Sequence, residues 1–164
     1  MVSSEVTPKQ RTWMWPREGW RGHAYKAVDG INHPYYWHKG GHCTHTRHGY
    51  QPWWNIDLGE NKLIAYVRVF NRGDCCSWRL DNLEVRVGRS TLWWHNPVCG
   101  GRGRARKRVG FACRPMIARY IQIVVRQRHE YLTLCGVEVF SEPKQEPMYC
   151  RDTRLFYKSA RIGY

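Results

Sequence analysis

Leu63-Ile64-Ala65-Tyr66-Val67-Arg68-Val69-Phe70 is rich in β-branched and aromatic residues, the composition of a strand. Working outward, the same composition returns in Leu83-Glu84-Val85-Arg86-Val87, Tyr120-Ile121-Gln122-Ile123-Val124-Val125 and Val137-Glu138-Val139-Phe140. Leu83 to Val87 alternates apolar and charged residues, which predicts a half-buried strand. Trp53-Trp54-Asn55-Ile56-Asp57-Leu58 reads as a further strand ended by Gly59. One of its two tryptophans faces the core, because successive strand side chains point to opposite faces. Turn signals separate the runs at Asp29-Gly30, Asn71-Arg72-Gly73-Asp74 and Asn96-Pro97. No long window carries a helical period. Short strands at this spacing predict an all-β fold, a sandwich of antiparallel strands.

The chain of 164 residues is one domain's worth, with a net charge of +14 and 14% aromatic residues. That aromatic load excludes a disordered basic tail. No apolar run approaches the ~18 residues of a membrane helix. The first thirty residues lack a basic-then-apolar signal segment. The cysteines nevertheless favour a mature secreted, extracellular form over a cytosolic one. Cys75-Cys76 are adjacent, whereas zinc prefers ligands separated by two to four residues. Cys43, Cys99, Cys113 and Cys135 are spread singly, as in a disulfide framework. The seventh, Cys150, lies beyond Ser141-Glu142-Pro143-Lys144-Gln145-Glu146-Pro147, which reads as a linker. We therefore expect a domain over 1–141 and a basic, aromatic tail over 142–164, with Cys150 free or in an intermolecular bond. Residues from about 20 to 50 are loop-rich and crowded with His, Tyr, Trp and Gly, the mark of a functional segment.

Several blocks together resemble the fucolectins, the F-type lectin family with a discoidin-like domain. They are Ala27-Val28-Asp29-Gly30, Cys43-Thr44-His45, Pro52 to Leu58, Asn71-Arg72-Gly73-Asp74-Cys75-Cys76 with Arg79, Cys113 to Tyr120, and Leu134-Cys135-Gly136-Val137-Glu138-Val139. The weight falls on His45, Arg72, Asp74, Cys75-Cys76 and Arg79 in the family's order. The resemblance covers about residues 20 to 141. It implies a jelly-roll β-sandwich and a non-catalytic lectin that binds terminal L-fucose on glycans, with a role in recognition or adhesion.

The chemistry suits that expectation. A neutral deoxysugar offers hydroxyl and ring oxygens on one side and a methyl group on another, so its site needs convergent donors and an apolar patch. Arg72 and Arg79 carry planar donor forks that are always charged. Asp74 is placed to orient one of them. His45 donates from one ring nitrogen, with its tautomer set by the other. Adjacent cysteines joined to each other make a flat, rigid sulfur surface, which the family sets against the sugar ring. Tyr36 and Trp37 resemble the aromatic pair that walls the methyl pocket. The resemblance also implies disulfides Cys43–Cys135, Cys75–Cys76 and Cys99–Cys113.

The family's structural calcium is the point of departure. The resemblance maps its ligands to Lys26, Asp29, Ile31, His42 and Cys135. His42 stands where a hydroxyl is expected and Gly136 where a carboxylate is expected. Calcium takes six to eight hard oxygens, so a weak or absent site is expected.

Arg102-Gly103-Arg104-Ala105-Arg106-Lys107-Arg108 holds five positive charges in seven residues and reads as a loop tethered by Cys99 and Cys113. Either it is a solvated loop or it meets an acidic partner. The alternative function is thus an adhesion module binding an anionic protein, sulfated glycan or membrane surface. Nucleic-acid binding is a weaker third reading. His38, His42, Cys43, His45 and His48 lack zinc-finger spacing. No carboxylate pair or triad pattern stands out, and Cys75-Cys76 lack the spacer of oxidoreductases, so no enzyme activity is expected.

Overall fold

The structure of the chain, a computed structural model, describes residues 11–17, 21–36, 41–104 and 106–142. Its strands are β1 (Arg11–Trp15), β2 (Gly49–Tyr50), β3 (Trp53–Phe70), β4 (Leu83–Gly88), β5 (Val98–Gly103), β6 (Arg108–Val125), β7 (His129–Glu130) and β8 (Gly136–Phe140). Short 3-10 helices span Ala24–Val28, Ser77–Leu80 and Trp93–His95. The principal sheet runs β1-β3-β6-β4-β5, with β8 also paired to β3. The described pairs are antiparallel, and β2 and β7 form a separate two-stranded ribbon.

Two long strands build both layers. The first part of β3 (Trp53 to Asp57) lies between β1 and the end of β6. Its last part (Tyr66 to Phe70) lies between β8 and the start of β6. Register shifts between Asp57 and Lys62, and between Ile64 and Tyr66, separate these parts. Such irregularities bend strands and increase their twist. The Trp53–Leu58 and Leu63–Phe70 runs are therefore one bent strand. Gly59, which reads as a stop, sits within it at φ +79°, a conformation that an L side chain resists.

Val67, Val69, Phe111, Val137 and Val139 from one half share a core with Trp54, Ile56, Leu83, Val85, Val87, Ile121, Ile123 and Val125 from the other. Trp54 is the inward tryptophan, and its indole N–H donates to the Ala24 carbonyl at 2.9 Å. The alternation in β4 buries more than one face. Glu84 is also buried, with Arg86, Arg102 and Arg126 at 2.6, 3.5 and 3.6 Å from its carboxylate. Three cations satisfy an acid that water does not reach.

The basic run is less of a loop than its composition predicts. Arg102 and Gly103 end β5 and Arg108 starts β6, leaving 104–107 as the connection. Cys99–Cys113 is a disulfide that ties β5 to β6, which lie on either side of β4 in the sheet. Of Trp93 and Trp94, the first is half-buried beneath Arg86 and Arg126, and the second is exposed. No helix among the described residues is long and apolar enough to cross a membrane. The tail expected over 142–164 falls outside the described residues from 143 onward, and Cys150 with it.

Candidate functional site

Three parts of the chain meet where β3 ends: residues 33–36 with 41–48, the turn Asn71–Asp81, and the approach to β8. The first and third are stitched together by Thr44 and Thr46. Thr44 N–H donates to Leu134 O (2.8 Å) and Leu134 N–H returns to Thr44 Oγ1 (3.0 Å). Thr46 repeats the exchange with Leu132 at 3.1 and 2.9 Å. Cys43–Cys135 locks the same seam covalently. The turn is anchored by Gly73 N–H to Pro34 O (2.6 Å) and by Asn71 Nδ2 to Ser77 O (2.9 Å). These bonds make the loops a rigid frame, which is what a small ligand requires.

Arg72 is only 5% exposed. Its Nε donates to Asp74 Oδ1 at 2.5 Å and its Nη2 to Oδ2 at 3.3 Å. Its guanidinium lies 4.7 Å from the Tyr36 ring centre. The fork is thus fixed on one edge and one face, with Nη1 left for a ligand. Burial pushes the Asp74 carboxyl up, but the Arg72 hydrogen bond and charge, with the backbone N–H groups of Tyr36 and Asp74, hold it below the usual range. Burial raises the Tyr36 phenol above its usual range.

Arg79 stands on the short 3-10 helix Ser77–Leu80, and its N–H donates to Cys76 O at 3.1 Å. Its guanidinium packs 4.7 Å from the Tyr131 ring centre, and Nε lies 3.7 Å from Glu130 Oε1. Its Nη1 is 3.2 Å from His45 Nε2. His45 Nδ1 lies 2.7 Å from Thr46 O. A carbonyl only accepts, so Nδ1 carries the proton and Nε2 presents its lone pair to Arg79. The expectation that His45 donates to a ligand is thus corrected: Nδ1–H is spent on the backbone, and the nitrogen facing the site accepts. Burial first, then Arg79 and Arg72, lower the His45 pKa against the opposing Thr46 bond. Desolvation also lowers that of Arg79, against the pull of Glu130.

Cys75–Cys76 is a disulfide, with Cys76 in the left-handed region at φ 61°. Trp78, two residues on, is 59% exposed, and its carbonyl accepts from Arg128 Nη2 at 2.7 Å. The structure thus brings together His45, Arg72, Asp74, Arg79, Tyr36 and the Cys75–Cys76 turn. Trp37 lies outside the described residues.

Sequence reasoning missed Tyr131 and Glu130. Tyr131 touches the His45 ring at 5.2 Å and the His48 ring at 5.0 Å, besides bearing Arg79. No motif spacing ties it to Arg79; its only signal is an aromatic residue just before the Leu132-Thr133-Leu134-Cys135 block. From Tyr131 the rings continue through His48, stacked on His129 at 5.8 Å, to Tyr50.

The residues mapped to calcium do not make a calcium cage. Asp29 supplies the one carboxylate, and its Oδ1 accepts the Ile31 N–H at 2.9 Å. His42 offers a ring that packs on His33 at 5.4 Å. Ile31 and Cys135 bring no side-chain oxygen, and Lys26 brings an ammonium. Beyond Asp29, the six to eight hard oxygens that calcium takes would have to come from backbone carbonyls beside the Lys26 ammonium, so the side chains present do not fit the ion. Among the described residues, no group of three His, Cys, Asp or Glu side chains is arranged to hold a metal.

The family model for the NedA-like, galactose-binding domain of the F5/F8 type C group matches residues 26–123. The chain is similar to Fucolectin-6 of Anguilla japonica, 40% identical over 120 residues, covering 71% of this chain and 62% of that protein. It is similar to Fucolectin of Anguilla anguilla, 34% identical over 121 residues, covering 71% of this chain and 75% of that one. Its fold matches the crystal structure of a fucolectin from striped bass (Morone saxatilis) serum with a TM-score of 0.75 and 34% identity, over 85% of this chain and 47% of that chain. The chain therefore spans under two thirds of Fucolectin-6 and about half of the bass protein.

Proposed function

The chain belongs to the fucolectin (F-type lectin) family, and we propose on that footing that it is a non-catalytic, extracellular lectin for terminal L-fucose. One observation carries the reading: a buried arginine fork, Arg72, and a half-buried one, Arg79, act on one neutral histidine, each packed on a tyrosine and each paired with its own carboxylate. Arg72 Nη1 and the free N–H groups of Arg79 donate to sugar oxygens. His45 Nε2 accepts from Arg79 Nη1 and so holds that fork in place for the sugar. The Cys75–Cys76 sulfurs and Tyr36 supply the apolar contact for the ring and methyl group. Because Asp74 and Glu130 already hold the guanidiniums, little ordering remains to be done on binding. The disulfides fit an oxidising, extracellular setting. A single sugar covers little area, so avidity from several copies, which a Cys150 bond would supply, strengthens attachment.

Calorimetric titration with L-fucose, with galactose as control, at low and high salt, tests this reading. Fucose-specific heat that persists in high salt supports it. No heat from a chain that still melts cooperatively ends it.

A second reading has its own observation. The 106–107 turn docks on the site: Asn71 N–H donates to Lys107 O at 2.8 Å, and Asn71 Nδ2 lies 3.4 Å from Arg106 O. Asn71 is the neighbour of Arg72, so exposed cations lie beside the sugar site. This arrangement favours glycans or surfaces that carry sulfate or another anion. Such binding weakens steeply with salt, whereas the neutral-sugar contact does not.

A further inference from the structure

Lys26 is 7% exposed, a depth at which an ammonium is found only when it is paired. It belongs to the 3-10 helix Ala24–Val28, and its Nζ donates to Gly41 O at 2.7 Å, across 15 residues. Gly41 is built for this approach. It sits at φ +69°, and a Cβ there would stand 2.9 Å from Tyr36 O and 3.4 Å from Lys26 Nζ. Asp29, on the turn that follows the helix, lies within electrostatic reach of the ammonium.

Nearby, the room for a side chain at Gly136 is taken. A Cβ there would collide with the Asn32 side chain. Asn32 Nδ2 donates to Glu138 Oε1 at 2.7 Å, and Glu138 Oε2 accepts from Arg68 Nη1 at 2.7 Å. A carboxylate at 136 is therefore replaced by an amide that pins the 29–36 segment to β8.

We propose that the Lys26 ammonium is a built-in cation that does the loop-tying work for which relatives of this fold use a metal. A cation in this place must draw together carbonyls of two segments and neutralise Asp29. Lys26 supplies one positive charge and three N–H donors, takes the Gly41 carbonyl and lies within electrostatic reach of Asp29. The loop it ties carries Tyr36, which bears Arg72, and leads within four residues to His45. Lys26 is thus a positioning residue, and the site is assembled without a divalent ion. The proposal rests on the family reading for its sugar readout, but not for its stability readout.

The test is melting of the full chain in calcium and in chelator, with L-fucose titrations in both, for the parent, Lys26→Met and Lys26→Arg. The parent melts at one temperature in both buffers. Lys26→Met melts lower and binds fucose about fivefold or more weakly, as remote positioning changes do, and Lys26→Arg recovers part of both. A calcium-dependent rise in the parent's melting temperature beyond about 3 °C overturns the proposal without needing any variant to fold. So does a Lys26→Met chain that melts and binds like the parent. If the parent fails to bind fucose, the lectin reading falls while the melting comparison still decides the role of Lys26.

Discussion

Arg79 donates through Nη1 to His45 Nε2 at 3.2 Å while His45 Nδ1–H is bound to Thr46 O at 2.7 Å. Both ring nitrogens are therefore committed to the neutral form. Protonation would turn the acceptor into a donor facing Arg79, with Arg72 also close. The groups that face this ring are Arg79, Arg72, Tyr36 and Tyr131, and burial raises the Tyr36 phenol above its usual range.

The pH dependence follows from that sign. The folded His45 pKa lies below its ordinary value, so the unfolded chain binds the proton first. The stability His45 contributes is whole above the ordinary histidine pKa of about 6.5 and is lost as pH falls from there toward the folded pKa. Fucose affinity falls in the same window, because Nε2 must accept. Asp74 is also lowered, and its contribution is lost only as pH falls below the ordinary aspartate pKa of about 3.9. Titrations from neutral to moderately acid pH should show one acid step that His45→Gln removes. A step that survives in His45→Gln assigns the proton to another group.

Asp74→Asn separates charge from shape. The amide fills the same volume but offers one acceptor where Arg72 now uses two oxygens. Without the charge-assisted fork, the buried guanidinium loses its fixed edge. Fucose affinity should fall about tenfold, and stability by about 2 kcal/mol, because a 5% exposed cation is left half-paired. Calorimetry and urea unfolding read the two effects, and unchanged affinity in Asp74→Asn would remove Asp74 from the site.

How much of this could be read in the chain itself depends on whether the signal was local. The Leu63–Phe70 run is a strand because its own residues favour one, and the Arg72-Gly73-Asp74 turn holds its ion pair within three positions. Edge strand β1 escaped because Trp13 and Trp15 are spaced among charges and acquire a register only against β3. Gly59 looked like an end because a positive-φ glycine serves equally as a stop and as a bend. Tyr131 lies 52 positions from Arg79 in the chain, and only the β2–β7 ribbon and the threonine ladder bring them together. Lys26 was mapped to the metal locus by position, but the reach of its side chain to Gly41 is a tertiary fact.

Gly22 is a second glycine that the site depends on. Its carbonyl accepts the His45 N–H at 2.9 Å, and a Cβ at residue 22 would overlap the His45 backbone and Cβ. Nothing flexible lies there to give way. Gly22→Ala should displace His45 from Arg79, lowering fucose affinity about tenfold or more, with a stability loss of about 1–3 kcal/mol as in other overpacked sites. A Gly22→Ala chain with parental affinity would show that His45 tolerates movement, against its role as a fixed acceptor.

The vicinal disulfide can be removed without touching the core. Cys75 and Cys76 are partly exposed and link only to each other, whereas Cys43–Cys135 and Cys99–Cys113 staple separate segments. By the loop-entropy estimate the long-range bonds are worth about 2–4 kcal/mol each, while a bond between neighbours closes almost no loop. The double variant Cys75→Ser with Cys76→Ser should therefore melt within a few degrees of the parent. Its sugar affinity should fall, because the apolar sulfur face is replaced by two hydroxyls and the left-handed turn at Cys76 that leads into the Arg79 helix is freed. Cys99→Ala with Cys113→Ala should do the opposite, lowering the melting temperature while a folded chain at low temperature still binds fucose. If the two double variants change places, with stability lost at 75–76 and affinity at 99–113, the division between a sugar-facing disulfide and a structural one is wrong.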